Sequence, residues 1–276
     1  MDFSGPALLM AIVNCNSDSF YPPSRALGEA AVEKALDAER DGASIVDFGA
    51  ESSRPGSSGI KCEEEMNLLI PVIKEFRKKS SLPVSVDTRK ALVAKAALDA
   101  GADIINDISA LSDDPDMAHL CAEKNAAVVL MHKKGIPLSM QEHPHYEDLI
   151  TELETFFINA VSNAQKAGIP EGKIILDPGI GFGKSSSDNA GIIRQLPRLA
   201  KISGKDYPVL IGLSRKNFIG EITGSPGMPR GVDDRLSGTL AANAAAIIAG
   251  ADIIRVHDVT EHRDLARVLF ALGMGC

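Results

Sequence analysis

Eight short apolar runs, each ending in polar residues and followed by a segment with helical periodicity, constrain this chain more than any other feature. They occupy residues 7–14, 44–49, 83–88, 103–108, 127–132, 173–178, 208–213 and 251–257. Rich in Val and Ile and lacking a wet face, they suit strands of a parallel sheet covered by helices. The segments between them carry matching signals. Residues 29–41 set Ala31, Val32, Ala35, Leu36 and Ala38 on one stripe and stop at Gly42. Residues 90–100 are alanine-rich and stop at Gly101, and Gly168 and Gly250 end two further helices in the same way. Eight such units predict an α/β protein, a (β/α)8 TIM barrel formed as a single domain over residues 1–276. An open doubly wound sheet is the alternative.

Composition narrows the function classes. With 276 residues, 45% of them hydrophobic, the chain can bury a sizeable core. A formal net charge of −8 argues against a nucleic-acid scaffold, which needs a basic face. A local cluster of cations can still take an anionic small molecule. Cys15, Cys62, Cys121 and Cys276 form no C-x-x-C pair, so neither a disulfide framework nor a zinc site is expected. Cys15 and Cys121 read as buried thiols. No positively charged segment precedes the first apolar run, and residues 241–251 are too short to span a bilayer. A reducing, cytoplasmic setting is the consistent expectation.

In such a barrel the reactive groups gather at the carboxyl ends of the strands. Those ends carry Asn14, Asp47 with Glu51, Asp87, Asn106 with Asp107, His132, Asp177, Ser214-Arg215-Lys216, and Arg255 with His257 and Asp258. Loop capping accounts for one or two such residues; a polar group at every strand end points to a site. Asp177 stands beside Gly179, Gly181 and Gly183, whose bare backbone lets a flat ring lie close. Arg215 and Lys216 open an expected helix, a seat for an anionic or electron-rich ligand. Arg255 and His257 share one side of their strand and form a fork for phosphate oxygens. His119, His143, His145 and His262 are read as structural.

Taken in order, a set of phrases resembles the dihydropteroate synthase family from the first strand to the last. They are Asn14 with Asp18-Ser19-Phe20, Glu51-Ser52-Ser53-Arg54-Pro55-Gly56, Ser85-Val86-Asp87-Thr88, Asn106-Asp107-Ile108, Met131-His132, residues 177–184, Ser214-Arg215-Lys216 and residues 255–258. The resemblance implies a transferase of folate biosynthesis. It would join 6-hydroxymethyl-7,8-dihydropterin pyrophosphate to p-aminobenzoate, giving 7,8-dihydropteroate and pyrophosphate. The resemblance places the pterin among Asp87, Asn106, Asp177 and Lys216, with Met131 and Phe182 on the ring faces. It places the pyrophosphate at Arg255 and His257 with Asn14, Ser53 and Arg54, Asn14 also helping to hold Mg2+. Catalytic roles fall to Asp87, Asp177, Lys216, Arg255 and His257. The amine pocket and lid draw on Asp18, Phe20, Ser53, Arg54, Pro55, Phe182 and Asn217. A homodimer is implied too.

The chain departs from the family in its first loop, where Asn16-Ser17 replace Thr-Pro and Tyr21-Pro22 replace Ser-Asp. Ser53 stands for Thr and Asn217 for Ser. All fall on the amine and lid side; the pterin residues are intact. Three other readings stay open. A barrel that transfers a methyl group from methyltetrahydrofolate would share Asp87, Asn106 and Asp177 but need no diphosphate fork. A non-catalytic pterin-binding paralogue would keep the slot without turnover. An aldolase-like barrel would need a Schiff-base lysine inside a strand, and none of the eight runs holds one in its interior.

Overall fold

A computed structural model describes residues 2–15, 24–51, 59–135 and 144–275. All eight expected strands are present, with a two-strand ribbon between the sixth and the seventh. In chain order they are β1 (Leu8–Asn14), β2 (Ile45–Gly49), β3 (Val84–Asp87), β4 (Ile104–Asp107), β5 (Ala127–Met131), β6 (Ile174–Asp177), the ribbon strands β7 (Lys201–Ile202) and β8 (Lys205–Asp206), then β9 (Leu210–Ile211) and β10 (Ile253–Val256). The main sheet runs in the order β6, β5, β4, β3, β2, β1, β10, β9, all neighbours parallel. Leu176 bridges Val209 in parallel, and its N–H donates to Pro208 O at 2.9 Å. That contact joins the two outer strands and makes the sheet a (β/α)8 barrel rather than an open one.

The helices among the described residues are α1 (Ser24–Asp41), α2 (Cys62–Arg77), α3 (Ala91–Asp99), α4 (Met117–Glu123), α5 (Leu149–Lys166), α6 (Ser186–Arg194), α7 (Leu196–Leu199), α8 (Asn217–Thr223), α9 (Leu236–Ile248) and α10 (Val259–Ala271). Outward strand residues such as Val46, Phe48, Val86, Ile105 and Leu130 pack with Leu69, Ile73, Phe76, Leu153 and Phe157 of the helices in the main core. A separate cluster fills the barrel itself: Met10, Ile45, Ile104, Ala127, Val129, Ile175, Leu210 and Ile253. Its members sit near the amino ends of their strands. Two residues further along, the same inward phase turns polar. Ile45 gives way to Asp47, Ile104 to Asn106, Ile175 to Asp177 and Ile253 to Arg255. The apolar plug is the floor and the polar layer the mouth.

Three details differ from expectation. The strand expected over 208–213 shortens to two residues, because Pro208 has no N–H to give the ladder. The antiparallel ribbon of β7 and β8 precedes it, turned through Ser203 and Gly204 at φ 52° and 80°. Of the apolar stripe that the sequence lays along α10, Leu265, Val268, Leu269 and Leu272, only Leu265 and Leu269 pack inward, beside Val259 and Ala266, while Val268 and Leu272 are 57% and 66% exposed. Burial raises the Cys15 and Cys121 thiols to about 12, so both are inert. No helix among the described residues is long and apolar enough to cross a membrane.

Candidate active site

Side-chain alternation decides which strand-end residues meet over the barrel floor. Arg255 is the hub. Its Nε donates to Asp47 Oδ2 at 2.6 Å and a terminal nitrogen donates to Asp87 Oδ2 at 3.0 Å. Asn106 Nδ2 reaches the same Asp47 oxygen at 3.2 Å. Burial pushes the Asp87 carboxyl up to about 7, against the pull of Arg255, and the charge of Asp47 adds to the rise. Asp177 is also raised by burial, opposed first by the Gly179 N–H that donates to it at 2.7 Å. The Oδ1 atom of Asn106 is buried and has no hydrogen-bond partner among the described residues. An unmet acceptor of this kind costs roughly 1–3 kcal/mol, so the mouth is built to receive a donor.

The glycine turn after β6 supplies the opposite wall. Gly179 and Gly183 adopt φ of 67° and 66°. A Cβ on either would lie 1.9 Å from His132 O or 2.3 Å from Lys134 O, so only glycine lets this turn press on the exit of β5. Lys184, 3% exposed, holds it there. Its Nζ meets His132 Nδ1 at 2.9 Å, Gly179 O at 3.0 Å and Phe182 O at 3.1 Å. Burial lowers Lys184 to about 7 and His132 to about 3, which makes the neutral imidazole the acceptor. From the far side Lys216 donates to Ile180 O and stands 4.6 Å from the centroid of the Phe182 ring. Burial brings Lys216 down to about 8, with Asp177 opposing. Met131 ends β5 beside Asp177 in the register.

The remaining candidates divide. Asn14 is exposed at the end of β1. His257 has an exposed surface, yet enough protein surrounds it to bring it down to about 4, burial first and Arg255 next. Its Nδ1 meets Ser214 Oγ at 2.9 Å. Near pH 7 it is a neutral hydrogen-bonding group, not the second cation of a fork. Arg215 also differs from expectation. Asp258 takes it bidentately at 2.9 and 2.7 Å, and its third nitrogen donates to Val232 O and Asp233 O. Of the expected pair of cations only Lys216 turns to the mouth. Asn217 is exposed, its Oδ1 accepting from Arg235 at 2.9 Å. Asp18, Phe20, Ser53, Arg54 and Pro55 lie outside the described residues.

The strand-end ring is therefore not wholly a site. Asp107 accepts from Ser109 N and Leu111 N and shapes its own loop, while His132 serves Lys184. His262 is structural as expected, bonded to Asn243 and to Asp258 O. In the sequence Asp47 stands as one strand-end carboxylate among several and Lys184 as a lysine directly after a glycine turn, neither with a part of its own. At the rim, Glu51 pairs with Arg89 at 3.0 Å and with Lys90, a network whose only sequence trace is Glu51 itself.

Comparison with known proteins points to one family. Residues 10–257 match the model of the pterin binding enzymes. A dihydropteroate synthase of Escherichia coli is 40% identical over 273 residues, covering 98% of this chain and 93% of the relative. One from Synechocystis is 39% identical over 272 residues, covering 98% and 92%. The solved dihydropteroate synthase of Xanthomonas albilineans with 4-aminobenzoic acid superposes with a TM-score of 0.89 at 39% identity, covering 99% of this chain and 95% of that one. The same organism's enzyme in complex with 7,8-dihydropteroate gives 0.87 at 37%, with the same coverage. With a family match over most of its length and relatives aligned end to end, this chain belongs to the dihydropteroate synthase family of pterin-binding enzymes.

Proposed function

We propose that the chain, as one barrel domain, is a dihydropteroate synthase that condenses 6-hydroxymethyl-7,8-dihydropterin pyrophosphate with p-aminobenzoate. The observation that carries the reading is the buried, unpartnered Asn106 Oδ1 beside Asp87 and facing a wall that holds Asp177. These acceptors suit the donor-rich, guanidine-like edge of a pterin. Lys216 supplies a donor for a ring carbonyl or nitrogen, and Met131 and Phe182 supply apolar faces.

The carbon–oxygen bond to the diphosphate breaks and the leaving group keeps the bonding pair. The positive charge left on the methylene carbon spreads into the dihydropterin. The amine nitrogen then forms the carbon–nitrogen bond and releases a proton to solvent. Arg255 stabilises the growing negative charge, and His257 contributes a hydrogen bond rather than a charge. Asn14, exposed at the end of β1, would offer one side-chain oxygen to Mg2+, an ion that keeps several waters and draws on substrate phosphates. When bound, Mg2+ neutralises charge on the departing diphosphate. Asp18, Phe20, Ser53, Arg54, Pro55 and Asn217 belong to the amine side in this reading. The exposed Ile248, Val268, Leu272 and Met274 around the ends of α9 and α10 support a homodimer, and the free cysteines suit the cytoplasm.

Pyrophosphate release from the dihydropterin substrate with Mg2+ should depend on added p-aminobenzoate. Pterin binding without release would favour the non-catalytic paralogue, and methyl transfer to a corrinoid the methyltransferase. Lys216→Ala should weaken pterin binding roughly ten- to hundredfold by calorimetry, as should Asp177→Asn. Parent-like affinity in both variants would refute the pterin seat.

A further inference from the structure

Directly behind the residues of the mouth stands a carboxylate that the reaction itself does not require. Asp47 is fully buried on β2, one layer above the apolar floor. A single oxygen, Oδ2, receives both Arg255 Nε at 2.6 Å and Asn106 Nδ2 at 3.2 Å. A carboxylate only accepts, so the Asn106 amide can meet it in one orientation, nitrogen inward. The amide is planar, and its oxygen must then lie on the opposite arm. That oxygen is a buried acceptor without a partner among the described residues, as is the other oxygen of Asp47.

We propose that Asp47 is a positioning residue which sets the donor–acceptor pattern of the ligand seat by orienting the Asn106 amide and anchoring Arg255. Its effect on specificity is concrete. With Asp47 in place the seat offers an acceptor at Asn106 and selects a ligand that donates there. This deepens the pterin reading and rests on it.

Asp47→Asn keeps the shape but can donate to Asn106 Oδ1, which lets the amide turn over and present its NH2 group to the ligand. The dissociation constant for the pterin should rise roughly ten- to hundredfold. The pH profile gives a second readout. Asp87 faces Arg255 on β10, Asp47 on β2, Asp107 on β4, Glu65 on α2 and Lys216 after β9. An ionised Asp87 is the better acceptor, so pterin affinity in the parent should increase as pH rises through about 7. Removing the charge of Asp47 takes away a neighbour that raises Asp87, so this limb should move to lower pH in Asp47→Asn. A merely structural role would leave it in place.

A double-mutant cycle with Asn106→Ala adds a third test. The penalty of Asp47→Asn should shrink once Asn106 is gone, because part of it acts through that amide. If Asp47→Asn does not fold, Asp47→Ser carries the same binding and pH measurements. Parent-like pterin affinity, an unmoved pH limb, or full additivity in the cycle would each overturn the assignment. A parent protein that binds no pterin at all would overturn the underlying reading as well, which separates the two failures.

Discussion

Arg255→Ala should lower folding stability by roughly 3–5 kcal/mol near neutral pH and remove measurable pterin binding together. The guanidinium joins Asp47, fully buried, to Asp87, and no other cation bonds to either carboxylate among the described residues. Deleting one member of a buried ionic set leaves the others uncompensated, which costs more than the set contributes while whole. The variant should also respond to pH in a set direction. Arg255 is the largest influence holding Asp87 down, so its removal raises a carboxyl that burial already lifts from 3.8 to about 7. A carboxyl whose folded pKa exceeds its unfolded value keeps its proton in the native state after the unfolded chain has lost it. Stability then falls as pH rises from about 4 to beyond 7. The deficit of the variant should therefore be smallest in mild acid and largest above neutrality, as denaturant melts at several pH values would show. A deficit that stays flat across that range would mean the two carboxylates find other partners. Arg255→Lys should recover only part of the loss, because one ammonium cannot span both carboxylates with the geometry of a fork.

The barrel is legible in the sequence because strands and helices write different periods, and the eight apolar runs stand nearly where the strands do. The site is legible more unevenly. Counting polar residues at strand ends finds Asp87, Asn106, Asp177 and Arg255, but it also gathers Asp107, His132 and Asp258. The two-residue alternation separates the first two cases: Asn106 and Met131 take the inward phase, so Asp107 and His132 take the outward one. That rule has to be applied on every strand, not only where it pairs Arg255 with His257. The pairing of Arg255 is hidden for a different reason. Asp47 and Arg255 are 208 residues apart, and only the pairing of the last strand, β10, with β1 brings it within reach of β2. Arg215 misleads because a cation at a helix start reads as an anion seat until its carboxylate, 43 residues on, is known. Lys184 belongs to the glycine motif yet shows no role there, since nothing local reveals that the turn folds back over its ammonium.

That turn is where a single methyl group should do most damage. Gly179→Ala asks an L-residue to hold φ of 67° with its Cβ 1.9 Å from His132 O and 3.0 Å from His132 C. The backbone preference alone costs about 1–2 kcal/mol. The overlap is with main chain at the end of β5, which cannot swing aside as a flexible side chain could. The turn must lift, and three functions lift with it. The Gly179 N–H leaves Asp177, the Gly179 carbonyl leaves Lys184, and Phe182 leaves Lys216. Losing these contacts together should weaken pterin binding by roughly a hundredfold or more. Gly172→Ala is the control, because no heavy atom lies within 4 Å of the place its methyl would take and its φ is not in the left-handed region. That change should leave binding and melting temperature near the parent. Parent-like pterin affinity in Gly179→Ala would show that the turn can move without the seat, and the opposite wall of the mouth would then have to be drawn from other residues.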